Sequence, residues 1–102
     1  MATVEAHVET SRAARYLDQL GSHFAHQPGG MKLLASDPGE LLIDLGAGAT
    51  WSLRAEPTDL ILRIEAPDTA QLRDLSDRVA GRIEQIGRRD GLQVHWLPAD
   101  PA

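Results

Sequence analysis

The sequence predicts an α+β domain. The expected form is a two-layer sandwich: an antiparallel sheet of about six strands with two helices on one face, in the order β-α-β-β-β-β-α-β. Three observations lead there. Short alternating runs follow one another closely between residues 31 and 66, too closely for parallel neighbours, whose crossovers need a dozen or more residues. Two other segments repeat apolar residues at helical spacing. Every element has one apolar side, which two packed layers can bury together.

Each element has its own signature. Val4, Ala6 and Val8 alternate with Glu5, His7 and Glu9, the period of a half-buried first strand. From Ser11 to Pro28, Ala13, Leu17, Leu20 and Phe24 recur at helical spacing with Tyr16 beside them, and Ser11 can cap the first turn. Gln27-Pro28-Gly29-Gly30 ends that helix. Met31–Ser36 is the least regular strand candidate, and Asp37-Pro38-Gly39 turns the chain after it. Leu41, Ile43 and Leu45 form the inward set of the next strand. Trp51, Leu53 and Ala55 follow after Gly46-Ala47-Gly48-Ala49, and Leu60, Leu62, Ile64 and Ala66 after Glu56-Pro57-Thr58-Asp59. Asp68 or Thr69 caps a second helix, with Gln71 at capping-box spacing from Asp68. Leu72, Leu75, Val79, Ile83 and Ile86 form its stripe, and Arg88 and Arg89 suit its negative end. Asp90-Gly91 stops it. Leu92, Val94 and Trp96 then alternate with Gln93 and His95 as a last strand.

A chain of 102 residues is one domain, here 1–98 with a loose tail over 99–102. The lack of cysteine excludes disulfides, thiolate metal centres and cysteine catalysis, and fits a cytoplasmic setting. There is neither a secretory signal nor an apolar run of membrane-spanning length, so no membrane association is expected. A net charge of −5 argues against a nucleic-acid partner.

Chemistry concentrates at the end of the first helix. His23 and His26 stand three residues apart, on neighbouring positions of the helix surface. Imidazole is the commonest protein metal ligand, so the pair is a candidate divalent-metal or ligand contact, with Tyr16 and Phe24 beside it. The other reading has one histidine packing on the sheet while its neighbour caps the helix end. His7 and His95 fall on the outward parity of the first and last strands, where they meet if those strands are neighbours. Leu42 and Ile61 share that parity, which solvent alone does not explain; a homodimer packed through this face would cover them. No nucleophile elbow, phosphate loop or catalytic serine arrangement is present.

The stretch Arg15-Tyr16-Leu17-x-Gln19-Leu20-x-Ser22-His23-Phe24-x-His26, the meander, the acid-capped helix and Arg88-Arg89-Asp90-Gly91-Leu92-x-Val94-x-Trp96 together resemble a small bacterial domain-of-unknown-function family. The likeness spans nearly the whole chain. Members stand alone, or beside or fused to siderophore-interacting, flavin-dependent ferric reductases. The resemblance therefore implies a link to iron handling and a reductase as partner, without an established activity. The family has His-Leu where Arg82-Ile83 stands here and lysine where Gln27 stands, so a site using those positions is altered. Three functions follow as expectations: an accessory binding domain using Tyr16, His23, Phe24 and His26; a small histidine-dependent acid–base enzyme; and a protein-interaction module using the open sheet face.

Overall fold

The computed structural model describes residues 2–25 and 32–98, the side chains of residues 23–25 and 98 excepted. The turn expected over Gln27–Gly30, His26 and the tail over 99–102 lie outside the described residues.

Five strands build the sheet: β1 (Ala2–Glu9), β2 (Lys32–Asp37), β3 (Glu40–Gly46), β4 (Ala49–Ala55) and β5 (Asp59–Ala66). They are antiparallel in the order β2-β3-β4-β5-β1. Helices α1 (Ala13–Ala25) and α2 (Thr69–Ile86) cover one face, α1 over β2 to β5 and α2 over β5 and β1. The α+β class holds, but the expected six-strand sheet and its element order do not. Leu92–Trp96 is not a strand. After α2 the chain makes a short 3₁₀ turn at Arg88–Asp90, and only Leu97 and Pro98 pair with β1, opposite Glu5 and Val4.

The physical reason lies in what the segment leans on. Leu92 is buried and Val94 and Trp96 half-buried, so the alternation is real as a burial pattern. The polar groups, however, are satisfied by α2. Val94 N–H donates to Glu84 Oε2 at 3.1 Å, and Trp96 Nε1 donates to the Ser76 carbonyl at 3.1 Å. Glu84 therefore serves the backbone of this segment.

The turns follow their residues. Pro38-Gly39 closes β2 to β3 with Gly39 at φ 83°, as a type II turn requires. Ala47 and Gly48 both have positive φ, the sign pattern of a type I′ hairpin, and Gly46 N–H donates to Asp44 Oδ1 just before it at 2.8 Å. Asp68 caps α2 as expected, accepting from Gln71 N–H at 2.7 Å. The Gln71 side chain does not complete a capping box; it donates to the Ala47 carbonyl and ties α2 to the β3–β4 turn. At α1 it is Thr10, not Ser11, whose hydroxyl accepts a main-chain N–H, that of Arg12.

The core centres on Trp51 of β4, fully buried with its cross-strand partners Ile43 and Ile64. Above them lie Ala13, Leu17 and Leu20 of α1 and Leu72, Leu75, Val79 and Ile83 of α2. Among the described residues no helix is long and apolar enough to cross a membrane.

Gly87 shows how closely the end of α2 is packed. Leu92 folds back over it, Leu92 N–H donating to the Gly87 carbonyl, and a Cβ on Gly87 would stand 2.8 Å or less from three Leu92 side-chain atoms. Gly87→Ala should therefore lower the unfolding free energy by about 1–3 kcal/mol through overpacking. Gly81→Ala, mid-helix with nothing near its Cβ position, should leave it unchanged or raise it by up to ~1 kcal/mol. Urea melts of the two variants decide; equal midpoints would mean Leu92 moves aside freely.

Candidate functional site

The face of the sheet away from the helices is uncovered, and register places its side chains in rows. One row runs Ala35, Leu42, Ser52, Arg63, Glu5, and the next Asp37, Glu40, Arg54, Ile61, His7, each residue the cross-strand partner of the one before. All of them but His7 line a trough of about 470 Å³ in which Leu42 and Ile61 stand diagonally across β4. Leu42 is 36% exposed and Ile61 half-buried. The expectation that both lie on the outward side is met.

Charges order this face. Arg63 reaches Glu5 across the strands at 3.4 Å and Glu65 along its own strand at 3.5 Å. His7 Nε2 meets Glu5 Oε1 at 2.9 Å. The His7 hydrogen bond holds the Glu5 carboxyl below its ordinary value of 4.5; burial opposes it, and the charges of His7 and Arg63 add to the lowering. Arg54 turns its Nε to Glu56 at 2.7 Å. No ion pair reaches Asp37 or Glu40 among the described residues.

A second hollow, about 650 Å³, opens where the end of β1 passes the 91–95 segment. His7 and His95 both line it, with Glu9, Thr10, Ser11 and Thr58. The two imidazoles thus share one cleft although His95 is not on a strand. Beside it sits a group that sequence reasoning missed. Asp90, in the 3₁₀ turn, accepts a hydrogen bond from the Tyr16 hydroxyl and meets Arg12 Nη1 at 3.4 Å. Read as a stop signal, Asp90 is in fact a clip between that turn and the start of α1. The only local hint in the sequence was an acid directly before the Gly91 turn.

The residues proposed at the helix end fare differently. Tyr16 is buried in the first full turn of α1, and its hydroxyl is committed to Asp90. His23 and Phe24 lie in the last turn by backbone, seven and eight residues further on, with side chains outside the described set. Among the described residues no group of three or more His, Asp or Glu side chains can hold a metal ion.

The fold thus defines a small α+β domain with one face of its sheet uncovered. A family model described as "Uncharacterized protein conserved in bacteria (DUF2218)" matches residues 5–97. The chain belongs to that family. It is also similar to a solved structure, the NMR structure of PA4090 from Pseudomonas aeruginosa, with a TM-score of 0.76 and 27% identity over 98% of this chain and 99% of that one. No curated protein matches the chain at a significant level.

Two titrations check this geometry. Burial, then the bond to Asp90 and its negative charge, push the Tyr16 hydroxyl above its ordinary 10.0. The stability this proton brings is complete below pH 10 and should fall as pH rises from there through the folded value. Tyr16→Phe should cost about 1–2 kcal/mol at pH 7 and lose much of that alkaline dependence. Glu5 behaves oppositely: its lowered carboxyl adds stability above 4.5 that is lost as pH falls from there through the folded value. Glu5→Gln should flatten the acid limb of a stability–pH curve, and an unchanged limb would place the acid sensitivity elsewhere.

Proposed function

We propose that this protein is a small accessory interaction domain that binds a protein partner through the uncovered sheet face. The observation that supports this reading is the pairing of Leu42 and Ile61 in one trough between charged rows. An apolar pair ringed by charge is the composition of an interaction surface rather than of a solvated face. Both hollows are open at the surface, which suits recognition better than acid–base catalysis on a sequestered substrate. The test is site-specific photo-crosslinking in living cells, with benzoylphenylalanine at position 61 or, as control, at Gln85 on the exposed side of α2. A cross-link from position 61 that Leu42→Asp removes, and none from position 85, is the expected result. No cross-link from position 61 would remove this reading.

A second reading concerns the other layer. The α1 backbone stays helical to Ala25, which keeps His23 in the last turn as a helix-end site requires. With His26 it supplies a candidate divalent-metal or ligand contact near Phe24. The family resemblance supports a cytoplasmic role in iron or siderophore handling beside a flavin-dependent reductase. Titration of metal-free protein with Fe(II), Zn(II), Ni(II) and Cu(II) should show binding that a His23→Ala/His26→Ala double variant abolishes and low pH weakens. Equal behaviour of the two proteins would assign the histidines to packing and capping.

A further inference from the structure

We propose that the free edge of β2 pairs antiparallel with β2 of a second copy of this chain, so that the two sheets become one. This surface is the edge of the sheet, not its face, and the inference goes beyond the docking reading without resting on it. β2 is the terminal strand on one side of the sheet, whereas β1 carries Leu97 and Pro98 on the other. Among the described residues no strand pairs with the outer side of β2, so its main-chain donors and acceptors there have no ladder. Every residue of β2 except Leu33 is exposed.

The strand is self-complementary about a two-fold axis normal to the sheet. Register with β3 puts Lys32, Ala35 and Asp37 on the uncovered face, opposite Asp44, Leu42 and Glu40. Leu33 and Ser36 are on the helix side, opposite Ile43 and Leu41. Lys32 and Asp37 are five positions apart, so an unbroken strand would send them to opposite faces. The irregularity between Leu33 and Ala35 adds one residue, Leu34, and returns both to the same face. A bulge ordinarily spoils an edge for pairing. This one falls on the axis, and it makes the order of faces the same from either end of the strand. An axis between Leu34 and Ala35 then sets Lys32 opposite Asp37 of the other copy, Leu33 opposite Ser36 and Leu34 opposite Ala35, each pair occurring twice. Lys32 and Asp37 stand on opposite sides of the axis, each roughly 8 Å from it, so neither meets its own mate. Neither has an ion-pair partner among the described residues. Asp37 faces a like charge, Glu40, across β2 and β3, and a lysine arriving from the other side offsets it. At the centre is Leu34, 50% exposed in one chain, beside Ala35. An apolar centre between charged ends is the layout of an interface.

The test is sedimentation velocity over a concentration series with paired charge reversals. Wild-type protein should form a species of twice the 11.1 kDa chain mass. Lys32→Glu alone and Asp37→Lys alone should each weaken self-association by roughly tenfold, because each puts like charges opposite one another at both ends of the seam. Mixed in equal amounts, the two variants should recover wild-type affinity as a heterodimer, since every 32–37 contact is then again between opposite charges. That recovery also shows that both variants fold. Amide hydrogen exchange gives a second readout: the N–H groups of β2 directed away from β3 should gain protection as concentration rises. A protein that stays monomeric at every concentration, a dimer indifferent to the single reversals, a mixture that fails to recover, or a dimer without that protection would each overturn the proposal. None of these outcomes bears on the position-61 cross-link, so the two proposals fail separately.

Discussion

The structure depends on the pairing of β1 with β5. Eight residues of each strand match in one unbroken register, from Ala2 with Ala66 to Glu9 with Asp59. This ladder joins segments that are far apart in the chain, and it makes β5 an interior strand buried on its helix side from Leu60 to Ala66. With β1 beside β5, α1 must cross back over the sheet to reach β2 at the opposite edge, and so it covers the β2–β4 half. α2 then takes the remaining half, over β5 and β1. Both helices are thereby committed to one face, and the other face is left open with its rows of alternating charge.

Most of this was legible in single residues. The alternation in β1, β3, β4 and β5 marks both the strands and their inward sides, because one covered face imposes a two-residue period. Asp68 announced the start of α2 through its short acceptor side chain, and Pro38-Gly39 its turn through a fixed and a permissive φ. The last segment was misread for a physical reason. Leu92, Val94 and Trp96 show the period of a strand, but burial pattern does not reveal what supplies the hydrogen bonds. Here Glu84 and the Ser76 carbonyl on α2 supply them, and such contacts leave no periodic trace.

The candidate sites were legible unevenly. Strand parity was enough to bring out Leu42 and Ile61, because parity is local. The Asp90 clip was not, because it joins residues 74 apart in sequence and depends on where the 3₁₀ turn falls against α1. Tyr16, grouped with the helix-end histidines by proximity along the chain, points its hydroxyl to the other end of its helix. In a helix, side chains lean toward the N-terminus, so a residue in the first turn serves what lies there rather than what lies two turns later.

The β1–β5 ladder also sets an order of events during synthesis. As the chain emerges, β1 is made first and its partner among the last strands, so β1 stays without its ladder until residue 66 has left the ribosome. The β2–β5 meander has only short connections and can form meanwhile. Folding of the complete sheet then waits on a long-range closure, the kind of contact that slows folding most. Until it happens, β5 presents the apolar edge that β1 will occupy, and an alternating strand from another unfinished chain could take that place. A protein of this design is therefore most exposed to mispairing while it is being made, and least so once its first strand has docked.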